Sequence, residues 1–198
     1  MSNTDYLGIK ELQALTGVKL RTLQFWTDQG VLEPFKETDR QGKGVARRYD
    51  KTEALWALIA TELDRYKMPV GEVRWIVDQL RAARLAYRNA CAAVDGVALT
   101  GIIDKEGFDQ IERGWCIQEA VFEKVVFLAI RIQADGTATA ALLRPSVNEW
   151  FPIGGTAMIR IAHGSMDSFA LSAGRSLLLV RLDKALAPYR SLLARVAL

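Results

Sequence analysis

A tight turn near the start of the chain separates two short segments whose apolar residues repeat at helical spacing. The turn is Thr16-Gly17-Val18, and the segments cover residues 7–16 and about 20–29. Glycines follow both segments, where they are suited to end a helix. The apolar residues that would face a shared core are Ile9, Leu12 and Leu15 in the first segment, and Leu23 with the pair Phe25-Trp26 in the second. This pattern predicts a helix-turn-helix.

Beyond this unit the sequence predicts a hairpin and two further helices. Residues 36–48 are polar and contain two glycines, as is typical of a hairpin tip, and Arg47-Arg48-Tyr49 would form its returning strand. Asp50 or Thr52 would cap a third helix. A fourth helix is predicted over residues 70–94, because its apolar residues keep to one face for about five to six turns. Such a stripe needs a partner, either the protein's own core or a second copy of the helix.

The second half of the chain is typical of a small antiparallel sheet with helices. A long strand is predicted over residues 121–133, and Asp135-Gly136 is a strong hairpin signal before its mate at 137–144. Residues 106–120 are compatible with a helix, and a helix kinked at Pro188 is predicted over 183–197. Further short strands are predicted at residues 157–162, 168–172 and 176–182. The predicted fold class is therefore α+β.

The positive charge lies in the first half of the chain. The 198 residues have a net charge of +3. Residues 1–90 hold 15 basic and 12 acidic side chains, whereas residues 91–198 hold 11 of each. This split predicts a first domain that binds an anion such as nucleic acid, and a neutral second domain with a different task.

Composition argues against membrane and secreted proteins. Apolar stretches such as residues 125–130 are too short to span a bilayer, and the first residues lack the pattern of a secretory signal. The two cysteines, Cys91 and Cys116, make no disulfide framework, so a reducing cytoplasm is expected.

Neither a metal site nor catalysis is predicted. Cys91, Cys116 and the single histidine, His163, are not spaced as metal ligands. Residues 163–168 place a histidine, two serines and an aspartate together, but adjacency in sequence is not the geometry of a triad. The chain is therefore predicted to need no cofactor and not to be an enzyme. Four aromatic residues of the neutral half could form a cage for an organic cation, but ordinary core packing is the favoured interpretation. They are Trp115, Trp150, Phe151 and Phe169.

Residues 9–34 and the wing that follows resemble the DNA-binding domain of the MerR family of transcription regulators. The family pattern has a Thr-Gly-Val turn, then Arg-Thr-Leu with an aromatic pair, a Gly-hydrophobic-Leu-x-Pro exit, and a wing ending in Arg-Arg-Tyr. The matching segments are residues 16–18, 21–23, 25–26, 30–34 and 47–49. The resemblance covers roughly residues 5–80 and implies a winged helix-turn-helix. The chain departs from the pattern in having Gln24 instead of a basic residue, Phe25 instead of tyrosine, and a longer wing.

This resemblance and the chemistry of DNA recognition assign the candidate DNA-binding residues. The helix from Leu20 would enter the major groove, where Arg21 suits a phosphate or a guanine edge and Gln24 an adenine edge. Basic residues of the wing suit phosphates or the adjacent minor groove. Trp26 is also a candidate for the core. The predicted set is Lys19, Arg21, Thr22, Gln24, Trp26, Lys36, Arg40, Lys43, Arg47, Arg48 and Tyr49.

The predicted organisation has three parts. Residues 1–80 form a MerR-like winged helix-turn-helix, residues 81–95 a linking or dimer helix, and residues 96–198 an α+β domain for effector binding or dimerisation. The predicted function is a cytoplasmic, sequence-specific transcription regulator that binds pseudo-palindromic promoter DNA as a homodimer. RNA polymerase and a small-molecule effector are the further partners considered, and no membrane association is expected.

Two alternatives to this function stay open. One is a phage- or plasmid-type accessory protein that acts in excision, partition or replication. The other is a ligand-binding C-terminal module that the DNA-binding domain only targets.

Overall fold

The computed structural model describes residues 6–38, 46–94, 114, 117–122, 124, 126–132, 138–144, 149–153 and 176–194. The chain divides into two units, one made of Met1–Val77 with Ala185–Leu198 and the other of Asp78–Lys184. The sequence-based division instead kept the last segment with the rest of residues 96–198. Helices and a four-stranded antiparallel sheet are both present, so the predicted α+β class is confirmed.

The first unit is built mainly from helices around a small core. The helix-turn-helix is confirmed, although its first helix begins at Ile9 instead of residue 7. Its elements are β1 (Tyr6–Gly8), α1 (Ile9–Thr16), α2 (Leu20–Asp28), β2 (Arg48–Asp50), α3 (Lys51–Arg65) and the start of α4 (Val70–Val94), and the C-terminal segment adds the last helix, α6 (Ala187–Ala194).

Helix α3 forms the centre of the first unit. Every residue from Glu53 to Thr61 is buried, so the helix is covered on all sides. Asp50 caps it, because its Oδ1 accepts the Thr52 N–H at 2.6 Å. Helices α1 and α6 both pack against α3. The unit is thus organised around one buried helix, and the shorter elements lie on its surface.

A two-stranded sheet joins the start of the unit to the wing. β1 pairs antiparallel with β2, with Leu7 opposite Tyr49. The sequence did not predict β1, and it assigned Leu7 and Gly8 to the first helix. That assignment is wrong because Gly8 is extended and serves as the N-cap of α1, where its N–H donates to Glu11 Oε2 at 2.6 Å.

The fourth helix has the bounds that the sequence predicts, Val70–Val94. Within the second unit, Leu80 and Ala83 on this helix are buried. Gly114 packs directly against it, because a Cβ at Gly114 would clash with the Ala83 carbonyl oxygen and with Tyr87 Cβ. Only glycine permits so close an approach.

The second unit contains an antiparallel sheet with the strand order β5-β4-β3-β6. The predicted antiparallel pairing of β3 with β4 is confirmed, with Ile132 opposite Ala138. The Asp135-Gly136 turn predicted between them lies outside the described residues. The central strand β3 is buried on both faces at residues 128–130. The strands are β3 (Phe127–Ile132), β4 (Ala138–Arg144), β5 (Glu149–Ile153) and β6 (Ser176–Arg181).

Several predicted elements of the second half are corrected. Residues 117–121 are helical, so the strand predicted from residue 121 begins only at Phe127. Strand β5 was not predicted. The predicted strands at 157–162 and 168–172 lie outside the described residues. The tail forms two helices, α5 (Leu182–Ala185) and α6, which are separated at Leu186, before the kink expected at Pro188.

An ion pair marks the end of β6. The Arg181 guanidinium donates to Asp183 Oδ1 at 3.1 Å and to Oδ2 at 2.6 Å. These hydrogen bonds raise the pKa of Arg181 above its ordinary value. Leu182 follows directly and donates its N–H to the Val126 carbonyl at 2.9 Å, which fixes α5 to the start of β3.

None of the helices in the described part of the chain combines the length and the apolar character needed to cross a membrane.

Candidate nucleic-acid interface

The turn between α1 and α2 is fixed by hydrogen bonds from both sides. Thr16 Oγ1 donates to the Leu12 carbonyl at 2.8 Å and accepts the Val18 N–H at 3.3 Å. Gly17 has a φ of 70°, and its N–H donates to the Gln13 carbonyl at 2.8 Å. Glycine is the residue that adopts this left-handed conformation without strain. The turn therefore sets the direction in which α2 leaves α1.

Helix α2 has one buried face and one exposed face. Leu23, Trp26 and Thr27 are buried on the first. The other carries four exposed residues at positions i, i+3, i+4 and i+7, a spacing that places side chains on one side of a helix. They are Arg21, Gln24, Phe25 and Asp28. The predicted base-reading residues Arg21 and Gln24 thus lie together on a solvent-exposed surface, which we call the α2 face.

Two more predicted residues lie at the start of α2. Lys19 is exposed and extended, with φ −61° and ψ 141°, and no described side chain caps the helix there. The Lys19 carbonyl accepts the N–H groups of Thr22 and Leu23. Thr22 is half-buried. An uncapped helix N-terminus with a neighbouring lysine provides positive potential where a phosphate can approach.

Two of the predicted DNA-binding residues lie in the core instead of at the surface. Trp26 is 2% exposed and Tyr49 is completely buried. The Tyr49 hydroxyl and Thr27 Oγ1 lie 2.9 Å apart in a buried hydrogen bond, and Thr27 Oγ1 also donates to the Leu23 carbonyl. These side chains attach α2 to β2. Their aromatic and hydroxyl chemistry suits DNA, but their positions give them a packing role.

The exit from α2 leads into the wing through several backbone contacts. Gly30 has a φ of 76°, and the Glu33 N–H then donates to the buried carboxylate of Glu53 at 2.9 Å. The Phe35 N–H donates to the Arg48 carbonyl at 2.8 Å, and the Arg48 N–H donates to Thr38 Oγ1 at 3.0 Å. These bonds hold the two sides of the wing together at its base. Lys36 is exposed there.

The basic residues of the wing differ in their surroundings. Arg47 Nη2 donates to Asp28 Oδ1 at 2.9 Å, so this guanidinium is paired with a carboxylate of the α2 face. Arg48 is exposed, and its guanidinium carbon lies 4.3 Å from the centre of the Tyr6 ring. Arg40 and Lys43 lie outside the described residues. Of the wing arginines that are described, Arg48 is the more available to a phosphate.

Sequence reasoning missed three residues of this surface. The sequence predicts no role for Asp28 or Tyr6, and it assigns Phe25 to the apolar side of α2. The spacing of seven residues from Arg21 to Asp28 was a signal for a shared face. No signal in the sequence marked the contact between Tyr6 and Arg48, because it depends on the pairing of β1 with β2.

Metal-binding side chains do not gather in the part of the chain that the structure describes. Within it, no group of three or more His, Cys, Asp or Glu residues could hold a metal ion. His163 and Cys116 lie outside that part, as does the side chain of Cys91.

A comparison with known protein families gives a match over the part of the chain that carries the α2 face. Residues 7–80 match the family described as MerR HTH family regulatory protein. The matched range includes α1, α2, the wing, α3 and the beginning of α4. Among curated proteins, none matches the chain.

Proposed function

From the premise that residues 7–80 form a MerR-type helix-turn-helix domain, we propose that the protein is a cytoplasmic, sequence-specific transcription regulator. The observation that carries this proposal is the α2 face. The opposite side of α2 supplies the core residues, so Arg21 and Gln24 are not needed for packing. They are displayed on a short, rigid helix of the kind that enters the major groove.

The α2 face supplies the proposed base contacts. Arg21 donates two hydrogen bonds to the O6 and N7 atoms of a guanine, and Gln24 pairs with an adenine edge. Lys19 and Thr22 contact phosphates at the helix N-terminus, which fixes the register of the protein on the duplex.

The wing supplies the proposed contacts to the DNA backbone. Lys36 and Arg48 are exposed cations of the wing, and we add the wing residues Arg40 and Lys43 to this proposed set. Arg47 has a different role in our proposal. Because it pairs with Asp28, it offsets a carboxylate that would repel phosphates, and it ties the wing to α2. Trp26 and Tyr49 support the surface from within the core.

We propose further that the protein binds a pseudo-palindromic promoter as a homodimer. Two copies of one recognition helix would read two half-sites about one helical turn apart. We place the interface along α4, where Leu85 is 57% exposed. RNA polymerase would be a partner at the promoter. The unit of residues 78–184 would bind a small-molecule effector or contribute to assembly, a binding role and not a catalytic one.

Selection of DNA by the full-length protein tests this function. Fragments of genomic DNA are incubated with the protein, and bound fragments are sequenced over several rounds. We expect one motif to be enriched, with two related halves, in promoter regions. Enrichment at sites outside promoters would favour an accessory role in excision, partition or replication. Recovery of unrelated fragments with no common motif would contradict the proposal.

A further inference from the structure

Phe25 occupies an unusual place for a large aromatic residue. It is 46% exposed, although Leu23 and Trp26, its neighbours along the helix, are buried. The core side of α2 is therefore filled without it. Phe25 lies four residues after Arg21, so the phenyl ring and the guanidinium occupy adjacent positions on the α2 face.

The charged side chains on either side of Phe25 on α2 are compatible with the approach of DNA. Arg21 lies one turn before it and carries a positive charge. Asp28 lies about one turn after it, and there Arg47 offsets the carboxylate through a contact of 2.9 Å. Negative charge near the end of the α2 face is thus neutralised by the protein itself. The four residues of the α2 face therefore present no unpaired carboxylate to phosphates that approach the ring.

The chemistry of the side chain limits what it can contact. A phenyl ring has no hydrogen-bond donor for a phosphate and no acceptor for a base amino group. The major groove presents one markedly apolar group on its base edges, the C5-methyl group of thymine, and aromatic side chains are among those that contact it. An exposed phenylalanine on a recognition helix is complementary to this methyl group.

We propose that Phe25 is a specificity-determining residue that packs against the C5-methyl group of a thymine in the major groove. The inference rests on the proposed DNA-binding function and adds one base to what the α2 face reads. Arg21 and Gln24 would select guanine and adenine by hydrogen bonds. Phe25 would select thymine by apolar contact.

Replacing single thymines by deoxyuridine tests this contact, since uracil pairs as thymine does but lacks the methyl group. The full-length protein is titrated with its selected duplex and with duplexes in which each thymine is replaced in turn. We expect the affinity of the wild-type protein to fall about fourfold for the thymine that meets Phe25, the factor expected for one buried methyl group.

Variants of Phe25 test whether this side chain causes the loss of affinity for the deoxyuridine duplex. Phe25→Ala is expected to bind the thymine and uracil duplexes equally, and Phe25→Leu is expected to retain part of the difference. Phe122→Ala is the matched control, because Phe122 is also exposed but belongs to the other unit, and it should behave as the wild type does.

The outcomes separate this inference from the function on which it depends. A wild-type protein that binds its selected duplex but shows no loss at any deoxyuridine would overturn the role of Phe25 alone. A Phe25→Ala variant that keeps the full loss would do the same. A protein that selects no sequence at all would overturn the DNA-binding function, and the inference with it.

Discussion

At the scale of single residues, the division of α2 into a core side and a surface side determines which side chains can meet DNA. Trp26 and Thr27 are buried, whereas Arg21 and Gln24 are exposed. The DNA-binding residues predicted from the sequence include both buried and exposed side chains, because neighbouring residues of a helix point in different directions. Burial therefore separates the proposed contact residues from those that support them.

Replacing Arg21 by alanine tests the proposed base contact. The loss of two hydrogen bonds to a guanine should weaken binding to the selected duplex by about 1–3 kcal/mol. The preference for guanine at one position should also relax. Fluorescence anisotropy with the selected duplex and with single-base variants measures both effects.

Arg65→Ala is the matched control, because Arg65 is an exposed arginine at the end of α3 with no place among the proposed DNA or dimer contacts. This variant should bind DNA as tightly as the wild type does. If Arg21→Ala and Arg65→Ala had equal affinities for every duplex, Arg21 would have no role in reading bases.

Replacing Tyr49 by phenylalanine distinguishes a core residue from a DNA contact. The variant loses the buried hydrogen bond with Thr27, so the free energy of unfolding should fall by about 1 kcal/mol. This corresponds to a Tm lower by roughly 2–4 °C for a chain of this size. Thermal unfolding followed by circular dichroism measures the change.

Tyr66→Phe serves as the control for this experiment, because Tyr66 is an exposed tyrosine. Its stability should be unchanged. If Tyr49→Phe left the Tm unchanged but weakened DNA binding, the hydroxyl would be a DNA contact and our account of the core would be wrong.

At the scale of elements, the wing is held to the rest of the unit at three points. β2 pairs with β1, Pro34 bridges to Tyr49, and Arg47 reaches Asp28 on α2. Each contact joins residues that are far apart in sequence. These long-range contacts therefore contribute to the position of the wing base.

The salt dependence of DNA binding distinguishes the two wing arginines. If Arg48 contacts a phosphate, Arg48→Ala should reduce the slope of log affinity against log salt concentration by about one. Arg47→Ala should lower the affinity but leave that slope nearly unchanged, because Arg47 is paired with Asp28. Titrations at several salt concentrations measure both slopes.

A double variant checks the role assigned to Arg47. Asp28→Asn removes the charge of the carboxylate that Arg47 offsets. The double variant Arg47→Ala/Asp28→Asn should therefore regain much of the DNA affinity that Arg47→Ala loses. A slope that falls by one in Arg47→Ala would show that this arginine contacts a phosphate after all.

The elements that the sequence predicted well have local signals, and those it missed depend on distant partners. Gly17 and Gly30 marked the ends of helices, and of the two caps predicted for α3, Asp50 or Thr52, the structure has Asp50. Strand β1 has three residues and exists because β2 pairs with it. Nothing within so short a segment distinguishes a strand from the first turn of a helix.

Strand β5 was missed for a different reason. It contains Pro152, and proline argues against a strand because it cannot donate to a neighbouring one. Among the strands that the structure describes, β5 pairs with β4 alone, so Pro152 lies on an edge strand of this described sheet, where a missing donor is tolerated. The sequence gives no indication of which strand will lie at the edge.

At the scale of the whole molecule, the chain consists of two units, to which we assign different tasks. The proposed DNA contacts lie in the unit that contains α1, α2 and the wing. The C-terminal helix α6 packs against α1 and α3 of that same unit. The end of the chain is thus part of the structure that supports the α2 face, although the sequence suggested no such role.

Sedimentation equilibrium of the full-length protein tests the proposed homodimer. We expect a molar mass twice that of one chain at micromolar concentration. Leu85→Glu should shift the mass toward one chain, because it places a charge on an exposed apolar position of α4. A wild-type mass of one chain at all concentrations would contradict dimerisation.

The central claim is that the α2 face reads DNA sequence. The most direct test is the ratio of dissociation constants for the selected duplex and for a scrambled duplex of the same composition, both measured at one physiological salt concentration. We predict that the selected duplex binds at least about 10³-fold more tightly, as is usual for specific recognition. A ratio near one would mean that the protein binds DNA through charge alone, and it would contradict the account.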